Sequence, residues 1–446
     1  MRKNKLFILP LFVLIILGVM QAKKHMEVKP QAESALNFDI IELNKKDSMI
    51  YSYDDSTSLI SINMAFKHAG YALDENNKLG LSYIMLYLYK NSFIVKEPIE
   101  LQNIIEENGF KIEFSSDHEN FYISLKSFAQ YKEKLLETLE LFLNPKHISQ
   151  KHLNQAKESI LQYYEINKGN ANFVVNQRYE QILFEGTDFA KNPYGNIKTM
   201  SNIELDDLYN FTNNRFTADN FNLVISGNIS KQDAIDVYYK IAKNLAIKNK
   251  LTYIKYNNQY RYHQENIDID KEQIVIKAYI PTIAKNHNNY YKYYIANYVI
   301  GGSGLNSILS QILREEQGLT YSVYSYFENY NDFSVWVIEL STNKENYQKA
   351  LKLLNDTLEN IAKNGISAED LQRAKKYLTG SFAIYFNTNE RISAFLLDMK
   401  LKNISPSIIR TRNNLLNSFE LGEINQIIKK LIKPSEISII TAGKLH

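Results

Sequence analysis

The sequence contains no cysteine among its 446 residues. This absence excludes disulfide bonds, cysteine-ligated zinc, iron–sulfur clusters and thiol nucleophiles. A Gly-x-Ser-x-Gly turn, which would mark a serine nucleophile, is also missing. Any chemistry of this chain must therefore come from side chains other than cysteine or such a serine.

An excess of charge of one sign is absent as well. Lys and Arg total 52 against 49 Asp and Glu, a formal net charge of +3. The difference comes from Arg2, Lys3 and Lys5 at the start of the chain. The remainder is balanced, so nucleic acid is not an expected partner. With 45% hydrophobic and 23% charged residues, the composition is that of a globular protein.

Strongly apolar runs are confined to the N-terminus. Three basic residues precede the run Leu6–Met20, and the small residue Ala22 follows it. This order is typical of a secretory signal peptide, which we assign to residues 1–22. The run of about 15 residues is shorter than the roughly 20 that a spanning helix needs. We therefore expect an exported, periplasmic protein that is soluble after signal removal. An uncleaved segment that tethers the chain to a membrane is the alternative.

Three short patterns recur in the same order at nearly the same spacing, which indicates a duplicated unit of about 200 residues. The pairs are Glu137–Glu140 with Asp356–Glu359, Ile148–Lys157 with Ile366–Lys375, and Phe221–Gly227 with Ile437–Gly443. We predict an N-terminal domain over residues 28–242 and a C-terminal domain over residues 263–446. Residues 243–262 have little apolar periodicity and are the predicted linker.

Hydrophobic periodicity predicts the elements of each unit. Two alternating sets indicate half-buried strands: Ile60, Ile62, Met64 and Phe66, and Ile274, Ile276, Ala278 and Ile280. Further strands are predicted at 110–115, 120–126, 320–328 and 333–341. Two helix faces are predicted: Phe128, Tyr131, Leu135, Leu139 and Phe142, and Tyr347, Leu351, Leu354, Leu358 and Ile361. Because the strands cluster, we predict an α+β fold in which each domain is a largely antiparallel sheet with helices packed on one face.

Residues 301–323 join a glycine-rich turn, a helix and a strand. The turn lacks the Gly-Lys-Ser/Thr ending of a phosphate loop, so nucleotide binding is not expected. The helix carries Leu-Arg-Glu near its end, and Gly-Leu-Thr-Tyr-Ser-Val follows. The whole string resembles the C-terminal domain of the insulinase, pitrilysin and mitochondrial processing peptidase family of zinc metallopeptidases. The resemblance covers nearly everything after the signal.

This resemblance implies a fold and a catalytic site. The fold is two homologous α+β domains that face each other as half of a clam shell. Active members carry His-x-x-Glu-His on a helix of the N-terminal domain. The two histidines bind zinc, and the glutamate activates the zinc-bound water. A glutamate further along the chain is the third ligand.

The zinc motif is degenerate in this chain. In the helix that aligns with the family motif, Tyr83 and Tyr87 replace the histidines, and Leu86 replaces the catalytic base. Phenols with a pKa of about 10 are poor zinc ligands at neutral pH, and leucine accepts no proton. Glu158 or Glu165 falls near the third-ligand position, but one carboxylate cannot replace a set of three ligands.

The eight histidines offer no substitute for the missing ligands. None are three or four residues apart, and His147 and His152 flank a predicted helix start. We expect the histidines to be surface or loop residues. The sequence thus predicts that this chain alone binds no metal or other cofactor, and that zinc belongs to a partner subunit.

The resemblance implies that the other half of the catalytic site is retained. In family members, an arginine and a tyrosine at the positions of Arg314 and Tyr321 project across the cavity toward the zinc side. A phenol hydroxyl can donate to an oxyanion, and a guanidinium can hold a carbonyl or carboxylate. Without the resemblance, Arg314 as a helix cap and Tyr321 as a packed sheet residue are the simpler interpretation. A loop without large side chains is expected to border the cavity and to admit a substrate backbone: Gly301, Gly302, Ser303 and Gly304.

Some bacterial members resemble paired subunits, in which one keeps the zinc motif and the other keeps the arginine and tyrosine. This sequence matches the second type. It predicts an exported subunit that is inactive alone and forms a heterodimeric zinc peptidase that cleaves peptides. The alternative is a non-catalytic structural or peptide-binding member. A third interpretation is an autonomous peptidase with a non-standard metal site.

Overall fold

The computed structural model describes residues 38–43, 48–247 and 260–445. The predicted signal peptide, residues 1–22, and most of the predicted linker, residues 243–262, lie outside the described residues. The described residues form one compact unit. Within the described ranges, no helix is long and apolar enough to cross a bilayer.

The first half of this unit holds six strands and eight α-helices in the part that the structure describes. The strands are β1 (Asp39–Glu42), β2 (Ser48–Tyr53), β3 (Leu59–Phe66), β4 (Lys111–Ser116), β5 (Phe121–Phe128) and β6 (Phe221–Gly227). The helices are α1 (Leu81–Lys90), α2 (Pro98–Glu107), α3 (Lys132–Leu143), α4 (Gln150–Asn167), α5 (Ala171–Leu183), α6 (Ile197–Ser201), α7 (Leu205–Arg215) and α8 (Lys231–Ala242).

The second half holds five strands and seven α-helices among its described residues. The strands are β7 (Gln264–Asp268), β8 (Gln273–Thr282), β9 (Ser322–Asn329), β10 (Ser334–Asn343) and β11 (Ser438–Gly443). The helices are α9 (Tyr290–Asn297), α10 (Tyr347–Asn364), α11 (Ala368–Gly380), α12 (Phe382–Tyr385), α13 (Asn389–Leu401), α14 (Ile408–Ser418) and α15 (Leu421–Leu431). Two stretches with wider, π-type helical turns follow α9, Tyr298–Gly302 and Ser310–Glu316.

The two sheets have matching topologies. The first has the strand order β1-β2-β6-β3-β5-β4, and the second has β7-β11-β8-β10-β9. In each, the last strand of the half lies parallel to an early strand, β2 with β6 and β7 with β11. The other described pairs are antiparallel. The predicted α+β class is confirmed. The exact domain boundaries remain a prediction.

Each sheet packs its own helices against one face. Ile60, Ile62 and Met64 of β3 belong to the first core, together with residues of α1, α3 and α4. Ile274, Ile276 and Ala278 of β8 belong to the second core, together with residues of α10, α11 and α15. The alternating apolar residues of the sequence therefore mark the side of each sheet that faces its own helices.

The opposite face of each sheet is covered by a helix from the other half. Helix α13 packs across β3 and β6 of the first sheet, and α5 packs across β8 and β11 of the second. As a result β3 and β8 are buried on both faces over most of their length. The prediction of half-buried strands is wrong for this reason, because a strand's own pattern does not show which distant helix will cover it.

These two exchanged helices have defined starts. The Asn170 side chain accepts a hydrogen bond from the backbone N–H of Phe173 at 3.1 Å, which caps α5. The Thr388 hydroxyl accepts one from Arg391 at 3.3 Å, which caps α13. Side-chain caps satisfy backbone donors that a helix start leaves free. Both helices thus begin where a capping residue follows a short connection from the preceding helix.

The predicted helix face at residues 347–361 is confirmed by α10, whereas the face predicted from Phe128 begins later. Phe128 ends β5, where it pairs with Leu59, and Tyr131 lies in a short 3₁₀ turn. Both side chains are exposed, and α3 begins at Lys132. Phe128 therefore belongs to strand β5, and it is not part of the helix face that its spacing predicted.

Candidate functional site

The helix that aligns with the zinc motif, α1, is held at its start by a buried ion pair. Arg215 Nη2 lies 2.7 Å from Asp74 Oδ1, and both side chains are almost fully buried. Asp74 also accepts from the backbone N–H of Ser82 at 3.1 Å and from its hydroxyl at 2.7 Å. A paired and hydrogen-bonded carboxylate can be buried, and here it fixes the first turn of α1. The position of Tyr83, one residue later, follows from this contact.

Tyr83 lies among aromatic rings. Its ring centroid is 4.9 Å from that of Tyr194 in an edge-to-face arrangement and 6.2 Å from that of Tyr71. Burial raises the pKa of Tyr83, so the phenol stays protonated at neutral pH. Leu86, at the position of the family's base, is buried in the first core. These two side chains serve packing in this structure.

Tyr87 meets polar side chains of α4. Ser159 donates a hydrogen bond to the Tyr87 hydroxyl at 3.1 Å, and Gln155 Nε2 lies 3.4 Å from it. The two carboxylates considered for a third ligand are exposed and turn elsewhere. Glu158 accepts from Gln162 at 3.0 Å, and Glu165 pairs with Lys168. That either carboxylate occupies the third-ligand position stays a prediction.

The fit of zinc to this site can be tested from the donors present. Neutral phenols, a hydroxyl and an amide surround the position, and none is a thiolate, imidazole or carboxylate of the kind that binds zinc. Over the described ranges 38–43, 48–247 and 260–445, no three His, Asp or Glu side chains come close enough to hold a metal. Zinc therefore does not fit the α1 residues.

The glycine-rich loop follows α9 in the second half. Gly301 is buried, and a Cβ there would overlap the side chain of Ser325 on β9. Gly304 has a φ of +61° and open space around it. Glycine is therefore required at 301 by packing and favoured at 304 by its left-handed backbone. A role for Gly301, Gly302, Ser303 and Gly304 in bordering a substrate cavity remains a prediction.

Arg314 and Tyr321 both have accessible side chains. Arg314 lies in the last turn of Ser310–Glu316, with Nε 3.6 Å from Glu315 Oε1. Tyr321 is 63% exposed, while its backbone N–H donates to Ser341 at 3.0 Å. Packing of Tyr321 within the sheet is therefore ruled out, since most of its ring is accessible. The functional pairing of the two residues remains a prediction.

The structure brings forward His118, which the sequence interpretation treated as an ordinary surface or loop histidine. It lies in the β4–β5 turn but is buried, with ring centroids 4.7 Å from Tyr71 and 4.8 Å from Phe184. Burial lowers its pKa to about 3. Its Nε2 has no hydrogen-bond partner among the described residues and lies 3.7 Å from Glu180 Oε2. Helix α5 covers this turn, and nothing in the local sequence indicates that.

A second polar group that the sequence interpretation missed surrounds Lys277 of β8. Lys277 Nζ lies 2.9 Å from Glu339 and 2.7 Å from Asn176 Oδ1 of α5. Tyr179, also on α5, donates to Glu328 at 2.6 Å, and Lys277 Nζ is 4.3 Å from the Tyr179 ring centroid. In the sequence, Lys277 stands between the apolar residues Ile276 and Ala278. This alternation shows that Lys277 points to the other face of the strand, but it predicts that this face is exposed to solvent. These charges are paired where the two halves meet.

Comparisons with known proteins find a family model that matches part of this chain. Residues 202–378 match the family model described as "Peptidase M16 inactive domain". The chain carries a peptidase M16 inactive domain. The matched residues include the whole 301–323 string, so the family recognised from that string is confirmed. The match also includes Arg314 and Tyr321.

Relatives and a solved structure extend the similarity to most of the length of this chain. It is 22% identical over 359 residues to "Uncharacterized zinc protease YmxG" of Bacillus subtilis, covering 79% of this chain and 85% of the relative. It is 23% identical over 407 residues to "Non-peptidase homolog YmxG" of Helicobacter pylori, covering 87% and 90%. A peptidase M16 inactive domain of Pseudomonas fluorescens superposes with a TM-score of 0.84 at 21% identity, covering 92% and 98%. This last likeness shows that the fold is shared.

Proposed function

We propose that this chain is the non-zinc subunit of a heterodimeric M16 peptidase that cleaves peptides. The partner supplies zinc and the general base, and this chain supplies Arg314, Tyr321 and one half of the chamber. The observation that carries the proposal is the replacement of the α1 chemistry by packing. Tyr83 lies in aromatic contacts and Leu86 in the core, while the fold around them is intact.

The accessibility of Arg314 and Tyr321 supports the roles proposed for the two subunits. Arg314 and Tyr321 are both exposed in the isolated chain, and Arg314 meets only its neighbour Glu315 among the ion pairs of the described residues. In a water-poor chamber, a phenol hydroxyl or guanidinium aimed at a developing oxyanion lowers the barrier more than it would in bulk water. A subunit without metal can therefore contribute to catalysis through these two groups.

A non-catalytic role is the second candidate. The Helicobacter pylori relative is named a non-peptidase homologue, whereas the Bacillus subtilis relative is named a zinc protease. A structural or peptide-binding protein with this fold needs neither zinc nor the pair Arg314 and Tyr321. Under this candidate, substitution of the pair leaves every function of the assembled protein unchanged.

We also propose that the chain is exported through the signal at residues 1–22 and works in the periplasm. The basic start, the short apolar run and Ala22 support this location. Retention of the segment as a membrane tether is the alternative. Mass spectrometry of the chain from the native envelope separates the two, because cleavage after Ala22 removes the tether.

The test of the heterodimer is a pull-down from the native envelope followed by a peptide cleavage assay. We expect a partner with His-x-x-Glu-His at one-to-one stoichiometry, and turnover only by the pair. In the pair, Arg314→Ala and Tyr321→Phe should each lower kcat/KM by about 100-fold or more, the usual effect of removing one oxyanion donor. Arg410→Ala and Tyr262→Phe change exposed residues of the same half and serve as matched controls.

Two results contradict the proposal. If the paired enzyme keeps full activity with both Arg314→Ala and Tyr321→Phe, this chain gives no catalytic group and the non-catalytic candidate stands. If the isolated chain contains stoichiometric zinc and cleaves peptides in a chelator-sensitive manner, the third interpretation, an autonomous peptidase, replaces both. Metal analysis of the purified chain checks the second point directly.

A further inference from the structure

A large cavity lies in the second half, away from the α1 helix. Its volume is about 750 Å³, within the range of small-molecule sites. Helices α9, α11, α12, α13 and α14 contribute to its wall. Aromatic side chains line much of it: Tyr290, Tyr291, Tyr294, Phe382, Phe386 and Phe395. Such a wall suits a ligand with a flat apolar body.

Arg412 of α14 is the buried charge of this cavity. It is 5% exposed, and its Nη1 donates to the Leu378 carbonyl and to Asn413 Oδ1, both at 3.1 Å. Its guanidinium carbon lies 4.2 Å from the Phe382 ring centroid. Among the residues that the structure describes, no carboxylate lies within ion-pair distance of Arg412. This differs from the other deeply buried arginine, Arg215, which has Asp74.

The remaining charges at the cavity do not neutralise Arg412. Asp398 is engaged by Lys285 at 2.6 Å and also by Lys402. Arg391 lies at the exposed side of the cavity and donates to Asn387 Oδ1 at 3.1 Å. The arginines Arg391 and Arg412 thus give the cavity a positive character. A buried cation without a counter-ion is costly, and a bound anion relieves that cost.

We propose that this cavity binds a small organic acid with an aromatic body, whose carboxylate pairs with Arg412 and whose ring packs among the aromatic side chains. A guanidinium holds a carboxylate through two parallel hydrogen bonds. The aromatic wall supplies apolar area for the ring. A cationic ligand of the kind that aromatic cages bind is disfavoured here, since Arg391 and Arg412 repel it.

The test is isothermal titration of the purified chain with 2-naphthylacetate and with its neutral amide, 2-naphthylacetamide. We expect saturable binding of the acid at one site and binding of the amide that is at least tenfold weaker. Arg412→Gln should weaken acid binding at least tenfold and leave amide binding nearly unchanged. Arg410→Gln is the matched control, because Arg410 is an exposed arginine of the same helix that does not line the cavity.

Since Arg412 is buried, its substitution can also affect folding, so a second variant is needed. Ala394→Trp places a large ring at an exposed position of the cavity wall. It should abolish binding of both probes while the thermal unfolding midpoint stays near that of the unmodified chain. Equal affinity for acid and amide, no acid binding at all, or acid binding that Ala394→Trp leaves intact would each overturn the proposal.

Discussion

The two helices exchanged between the halves differ in the balance of apolar and polar contacts. Helix α5 packs on the second sheet mainly through apolar residues, and Val175, Tyr179 and Leu183 share a cluster with Val335 and Ile440. Helix α13 meets the first sheet through buried hydrogen bonds, with Ser393 Oγ 2.9 Å from Ser61 Oγ and 2.6 Å from Asn63 Nδ2. We call these the apolar crossover and the polar crossover.

The two kinds of contact have different effects on the fold. Apolar contacts mainly add stability, whereas buried hydrogen bonds mainly select one orientation of the helix. Apolar burial is non-directional and stabilises in proportion to area. Buried hydrogen bonds contribute less net free energy, but leaving a partner unsatisfied is expensive, so they select one orientation. Asn389 and Ser226 extend the polar crossover with a hydrogen bond of 3.0 Å. The apolar crossover should therefore dominate stability, and the polar crossover should fix how α13 lies on the first sheet.

The largest effect is expected in the apolar crossover. Tyr179→Ala should lower the free energy of unfolding by about 3–5 kcal/mol, since it leaves a cavity beside Tyr279 and removes one hydrogen-bond donor from Glu328. Tyr179→Phe keeps the ring and should cost about 1 kcal/mol. Urea unfolding curves measure both changes. Equal losses in the two variants would show that the hydroxyl contact, and not apolar packing, holds α5.

An intermediate effect is expected in the polar crossover. Ser393→Ala removes one buried hydrogen-bond partner from both Asn63 and Ser61 and should cost about 1–3 kcal/mol. Ser435→Ala, at an exposed position, is the control and should change stability by less than about 0.5 kcal/mol. If Ser393→Ala and Ser435→Ala unfold at the same urea concentration, the buried hydrogen bonds of the polar crossover contribute nothing to stability. The contrast between the two crossovers would then be wrong.

The smallest effects should appear as opposite pH dependences at two glutamates. In the apolar crossover, burial raises the pKa of Glu180 to about 7, with the charge of Glu328 adding to it. In the polar crossover, burial acts upward on Glu390, but the hydrogen bond and charge of Lys126 outweigh it and hold its pKa below the usual value. Folding therefore raises the proton affinity of the Glu180 carboxylate and lowers that of the Glu390 carboxylate.

The direction of each pH dependence follows from the direction in which the pKa is shifted. A raised pKa means that the Glu180 contribution is present below the unfolded value near 4.5 and is lost as pH rises through about 7. Glu180→Gln should therefore gain stability relative to the unmodified chain as pH rises from about 4.5 to about 7, and it should keep that gain above pH 7. The Glu390 contribution is present above about 4.5 and is lost in acid, so Glu390→Gln should be destabilising at neutral pH only. Unfolding midpoints that shift in the same direction for both variants would contradict this assignment.

Much of the fold could be predicted because its signals are local. Alternation marks the strands, helical spacing marks α10, and the 301–323 string identifies the family. The replacement of the zinc motif by Tyr83, Leu86 and Tyr87 also needs only the order of residues. The burial of His118 could not be predicted, because the rings around it include Phe184, directly after α5, and Tyr330 of the second half.

The sequence by itself determined the side chains available for chemistry, the period of each helix and strand, and the duplicated order of elements. Only the tertiary structure decided which face of each sheet a distant helix covers, and hence that Lys277 and Asn63 are buried. It also decided that Arg412 lies among aromatic rings, with no carboxylate of the described residues at ion-pair distance. The physical reason is range: periodicity depends on neighbours along the chain, whereas burial and charge pairing depend on residues that approach only when the halves fold together.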